Sequence, residues 1–117
     1  MVKIIHVYRH RRFFRTMELA LTKEELMRGV LGRTTAGKGL FLMGATAIHT
    51  FQMRFPIDVV YLNEKGLVIG LEERLEPNRQ GLILEGTRHV VEFNPGTIRT
   101  HRIIIGEPWY WKVAVEE

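Results

Sequence analysis

The 117-residue chain contains no cysteine, which removes a disulfide scaffold, a thiolate metal site and a cysteine nucleophile together. Serine is absent as well, so a serine hydrolase has no nucleophile and no Gly-x-Ser-x-Gly elbow exists. No apolar run approaches the roughly 20 residues that cross a bilayer as a helix. Ile4 to Tyr8, the one apolar stretch near the start, is too short for a signal-peptide core and runs on into arginines. The expected location is therefore cytoplasmic, away from membranes. Repeats, low-complexity tracts and long linkers are also missing.

What remains is an ordinary globular composition, 45% hydrophobic and 26% charged. The length implies one domain spanning 1–117, able to bury about two-thirds of the surface its unfolded chain exposes. The net charge of +4 comes from 17 basic and 13 acidic residues. Lys3, Arg9, Arg11, Arg12 and Arg15 fall in the first fifteen positions without one acid. The remainder is nearly neutral, so the attraction to anions is local. Few Asn and Gln, with abundant Arg and Glu, lean toward a thermophilic source.

Lys3 to Tyr8 reads as a strand, and Arg11 to Leu21 as a second extended run. From Thr16 that run alternates, placing Met17, Leu19 and Leu21 on a buried face and Glu18 and Ala20 opposite. Thr22 with Glu25 three residues on is a capping box. Leu26, Met27, Val30 and Leu31 then form the apolar stripe of a short helix, with Gly32 as its left-handed cap. Further strands are expected at Leu40–Met43, His49–Arg54, Ile57–Leu62, Leu67–Leu71, His89–Phe93 and Trp109–Val115. Asn63 to Gly66 makes the hairpin turn, Glu76 to Gly81 a surface loop, and Asn94-Pro95-Gly96 a second turn. Thr97 caps one helical turn before Arg102 to Ile105. The fold class is α+β and β-rich: a rolled antiparallel or mixed sheet, barrel- or sandwich-like, with one or two short helices.

The segment Ile48-His49-Thr50-Phe51-Gln52-Met53-Arg54-Phe55-Pro56-Ile57-Asp58-Val59-Val60-Tyr61-Leu62 resembles the core signature of the domain-of-unknown-function 192 family. There His, Ser or Thr, Phe, a variable residue, Met and Arg or Lys precede a Pro-(Leu/Ile)-Asp step and an apolar strand. Arg28-Gly29-Val30-Leu31, Gly39-Leu40-Phe41, Val90 to Thr97 and Ile105-Gly106-Glu107 match four further family steps in order, so the resemblance covers roughly 16–107. It implies a conserved domain without an assigned activity. Two places differ: many members have Trp where this chain has Gln52, and a Cys- or Pro-rich loop where it has Glu76 to Gly81.

Asp58 is the outstanding polar residue. A carboxylate beside Ile57, Val59 and Val60 needs a partner, because an unpaired buried charge is very costly. Arg54 and His49 are the nearest cations in sequence. The functional expectation is a non-catalytic small-ligand-binding or accessory domain, taking a small polar or anionic ligand on His49, Thr50, Arg54 and Asp58, with Arg28 as an outer member. The structural alternative is a network that pins the turn around Pro56. A second function is nucleic-acid association through Arg9, Arg11, Arg12 and Arg15, where cations alternate with aromatics. Against it stands an edge strand guarded by charge. A third is a hydrolase-like enzyme with a His49/Asp58 acid–base pair. Thr50 is no nucleophile for it, since neighbours in a strand face opposite ways. The histidines at 6, 10, 49, 89 and 101 show no close pair of zinc-ligand type. Neither a metal nor a cofactor is expected, and the chain is read as monomer or dimer. Trp109 and Trp111 share one face of the last strand, opposite Tyr110.

Overall fold

The computed structural model describes residues 2–116. β1 (Val2–Arg9) and β2 (Arg12–Ala20) form a hairpin whose two turn residues, His10 and Arg11, both have positive φ, the turn that matches the twist of paired strands. α1 (Lys23–Arg28) follows, then β3 (Leu40–Met43), β4 (Ile57–Leu62), β5 (Val68–Leu75), β6 (His89–Phe93), α2 (Thr97–His101) and β7 (Trp109–Glu116). All seven strands belong to one sheet in the order β5-β4-β6-β3-β2-β1-β7. The β2–β3 pair is parallel and the others antiparallel, so the sheet is mixed. Its edges, β5 and β7, meet only where they begin, through the Leu67–Pro108 bridge and the Trp109 N–H to Gly66 carbonyl bond of 2.8 Å. The sheet is rolled but not closed into a barrel.

Alternation along the strands builds two cores. Ile5, Val7, Met17, Leu19, Phe41, Val60, Leu62, Val91, Phe93 and Trp109 line the inside of the roll, closed by Ile98 and Ile103 around α2. Ala20, Leu40, Leu42, Ile57, Val59, Tyr61 and Val90 face outward and are covered by Val30, Ala36, Ala45, Ile48 and Met53 from the connections. Each fully buried aliphatic side chain contributes about 1.5–3 kcal/mol. β4 and β6 feed both cores and are therefore buried on both faces, which is why they read as continuous apolar runs.

The capping box at Thr22 and Glu25 is present. Several expectations need correction. The helix ends at Gly29, not Gly32: both have positive φ, and the Gly29 N–H closes the last turn on the Glu25 carbonyl. Met27 is 70% exposed and Leu21 40% exposed, whereas Ala20 is buried; the alternation breaks where the strand gives way to the helix. Gly96, at φ 92, precedes α2, and Thr97 bonds back to the Asn94 carbonyl without capping. His49–Arg54 is not a strand: Gln52 has φ 63 and the Met53 N–H returns to the Thr50 carbonyl. Polar partners in the loop at 76–81 hold this segment in place of a neighbouring strand. The charged N-terminal strand is no guarded edge either, because β1 lies between β2 and β7.

Candidate functional site

Asp58, the only aspartate in the chain, is wholly buried at the start of β4. It points to the inner side of the sheet, as Val60 and Leu62 do. Its carboxylate accepts the Arg74 N–H at 2.9 Å and the Ile98 N–H at 2.9 Å. No cation bonds to it among the described residues: two backbone donors do what Arg54 or His49 was expected to do. Ile98 lies in the first turn of α2, where backbone N–H groups have no helical partner. Asp58 thus caps α2 from another strand while holding Arg74, which has φ 56, in a bulge of β5.

Thr50 is likewise fully buried. Its hydroxyl donates to the Glu76 carbonyl at 2.6 Å and accepts the Arg79 N–H at 2.9 Å, tying its loop to the 76–81 loop. Arg54 is exposed and its side chain has no hydrogen bond or ion pair among the described residues. His49 is exposed, stacks on Phe51 at 4.6 Å and accepts the Phe51 N–H through Nδ1. The structure therefore does not gather His49, Thr50, Arg54 and Asp58 into one cluster. Asp58 borders a shallow cavity with Arg74 and Arg99 on the inner side, while His49 borders another on the outer side.

That outer cavity, of about 470 Å³, is the better-built one, and its size suits a small organic molecule. Lys23, Leu26, Met27, Arg28 and Gly29 of α1 and its end form one wall. The segment Gly44 to His49 and Met53 form the other, and Glu92 of β6 lies at the base. Of the residues expected at a ligand site, His49 and Arg28 are here. Glu92 is 1% exposed, yet its Oε1 has no hydrogen-bond partner. Burial pushes its carboxyl up to about 7, with the Val30 backbone and the Arg33 charge pulling the other way. Gly29 packs directly against the carboxylate: a Cβ there would lie 2.7 Å from Glu92 Oε1. Glycine at this point serves both the positive φ of the helix end and the close approach of the main chain to the acid.

Glu92 carried the same signal in the sequence as Asp58, an acid inside the apolar run Val90-Val91-Glu92-Phe93. Nothing in the string shows which of the two finds partners. Three His, Asp or Glu side chains placed to hold a metal ion do not occur among the described residues.

The arginine-rich segment divides in two. Arg9 forms a two-pronged pair with the buried Glu107 at 2.9 and 3.0 Å and lies 5.0 Å over the Phe14 ring. Arg15 lies 4.7 Å over Phe14 and bonds the Lys38 carbonyl and His101. Both brace the fold. Arg11 and Arg12 are exposed at the hairpin. Trp109 is buried and Tyr110 exposed, on opposite faces of β7.

Two crystal structures share this architecture. A protein of unknown function from Novosphingobium aromaticivorans superposes with a TM-score of 0.75 at 20% identity, over 92% of this chain and 84% of that one. Another, from Sinorhizobium meliloti and named as a candidate transcription regulator, gives a TM-score of 0.75 at 18% identity, over 95% and 94%. At such identities the likeness is one of fold. Among curated proteins none matches the chain. The family model DUF192, described as an uncharacterized ACR, matches residues 5–110. That span reaches further into the basic segment than the motifs alone implied, and it takes in every residue around the Glu92 cavity. By that match the chain belongs to the domain-of-unknown-function 192 family.

Proposed function

We propose that the protein is a non-catalytic binding domain that holds a small organic molecule in the cavity above Glu92. The observation behind this reading is the orphaned Oε1 of a fully buried carboxyl group. Buried polar atoms are nearly always hydrogen-bonded, and leaving one without a partner costs about 1–3 kcal/mol. A donor arriving from outside recovers that cost. The walls suit an apolar body, since Leu26, Met27, Ala45, Ala47, Ile48 and Met53 make up much of them. Methionine and alanine give an adaptable, uncluttered surface. His49 and Arg28 lie at the rim of this cavity, while Thr50 and Asp58 act as scaffold and Arg54 takes no part.

A fragment library screened by backbone amide chemical shifts tests the reading. Binders are expected to move the Gly29, Gly44, Ala45, Ala47 and His49 amides. Ala47→Phe, which places a ring at the mouth, abolishes those shifts while the protein stays folded. Fragments that shift residues elsewhere, or that ignore Ala47→Phe, overturn the proposal.

A further inference from the structure

The charges around the cavity specify more than its existence. Glu92 supplies a buried carboxyl at the base, whose Oε1 has no hydrogen-bond partner. Lys23 and Arg28 are both exposed on the wall, and neither side chain has an ion pair or hydrogen bond among the described residues. The other ionisable groups near Glu92 are already engaged. Arg33 is held by Glu18 at 2.7 and 2.9 Å, and the His49 ring stacks on Phe51. One acid lies deep, two cations lie at the surface, and most of the remaining lining is apolar.

Each simple ligand class leaves one end of this arrangement unmatched. A plain alkylamine satisfies Glu92 but must pass two like charges on the way in. A plain alkanoate is drawn to Lys23 and Arg28 but offers Glu92 no donor. A molecule with an ammonium at one end, an anionic group at the other and an apolar spacer between them matches all three. Resting on the cavity being a ligand site, we propose that the ligand class is a zwitterionic amine of this kind, its ammonium against Glu92 and its anionic group against Lys23 and Arg28. The ammonium carries three donors and the carboxylate accepts them as charge-assisted bonds, stronger than neutral ones. A mismatched charge is penalised at both ends, so selectivity exceeds what the apolar contacts give.

Calorimetric titration of the full chain with 6-aminohexanoate, hexylamine and hexanoate tests this. The zwitterion is expected to bind at least about tenfold more tightly than either single-ended probe, the effect of one charge-assisted bond. Glu92→Gln, which keeps the shape of the side chain, reduces aminohexanoate binding to the hexanoate level. Lys23→Ala combined with Arg28→Ala reduces it to the hexylamine level; both are surface positions whose loss leaves the fold intact. Hexanoate or hexylamine binding as tightly as the zwitterion overturns the inference but not the cavity as a ligand site. So does the absence of binding by all three while fragments still occupy the cavity. Fragments that avoid the cavity overturn the underlying reading itself.

Discussion

Asp58 and Glu92 stand almost side by side. In the β4–β6 ladder Asp58 pairs with Phe93 and Val59 with Glu92, so the two acids are one register step apart on adjacent strands. Their side chains leave opposite faces of the sheet. On the inner face, a β5 bulge and the start of α2 bring two N–H groups to Asp58. On the outer face, α1 ends in a glycine that packs against Glu92, and no donor reaches its Oε1. Identical chemistry in nearly identical positions thus has two outcomes, decided by the main chain that passes over each face. A carboxylate that the backbone surrounds is part of the scaffold. One that the backbone leaves without a donor is where the proposed ligand would bind.

The sharpest way to break that contrast is to remove the scaffold member. Asp58→Ala strips a charged acceptor from two buried N–H groups, each bond to a charged group being worth about 1.5–3 kcal/mol. A loss of about 5 kcal/mol in urea-unfolding free energy is expected on that basis. Asp58→Asn retains one acceptor and loses roughly half as much. A measured loss below about 1 kcal/mol for the alanine variant would remove Asp58 from the scaffold and with it the distinction between the faces.

Within the basic segment the comparison is between arginines two and three residues apart. Glu107 is 3% exposed. Burial alone would raise its pKa, but Arg9, the Trp109 indole N–H at 3.0 Å and His10 outweigh it and hold the carboxyl below the ordinary range. Arg9→Ala leaves that charge largely unpaired and is expected to cost about 4 kcal/mol. Arg11→Ala and Arg12→Ala, at the exposed hairpin, are each expected to stay within about 0.5 kcal/mol. Equal losses in thermal melts of the three variants would show that the segment is uniform, and the division into bracing and free arginines would fail.

Much of the fold was legible because period and turn chemistry are local. β3 and β6 match their expected limits residue for residue, and the Thr22–Glu25 capping box is as read. The sequence also disclosed that an acid in β4 must be satisfied. It did not disclose by what, because Ile98 and Arg74 lie 40 and 16 positions away and donate through their backbones, which every residue but proline can do. The His49–Arg54 segment misled for a related reason. Its side chains suit a strand, but its hydrogen bonds go to a loop some thirty residues on, and no strand lies beside it. Glu92 went unread as a site residue although it sat in a motif, since an orphaned atom is a property of the assembled surface.

A loss smaller than those at Asp58 and Arg9 bears most directly on the outer face. Glu92 has its carboxyl pushed up to about 7 from an ordinary 4.5, burial being the larger influence. Between those two values the folded chain keeps a proton that the unfolded chain releases. Stability therefore falls as pH rises from about 4.5 to about 7, by about 3 kcal/mol in total. The half-buried histidines act in the opposite sense: burial lowers His89 and His101, so they cost stability as pH falls through the ordinary imidazole range. Glu25, with its carboxyl drawn to about 2 by Lys3 and the backbone at Thr22 and Leu21, loses its contribution only below 4.5. Both influences are common to the parent protein and Glu92→Gln, and subtracting one urea-unfolding profile from the other isolates the carboxyl at 92. The difference is expected to open between pH 5 and pH 7 in favour of the glutamine variant and to stay constant above pH 8. Parallel profiles would mean that Glu92 already has a partner of its own, and the outer acid would then be scaffold like the inner one.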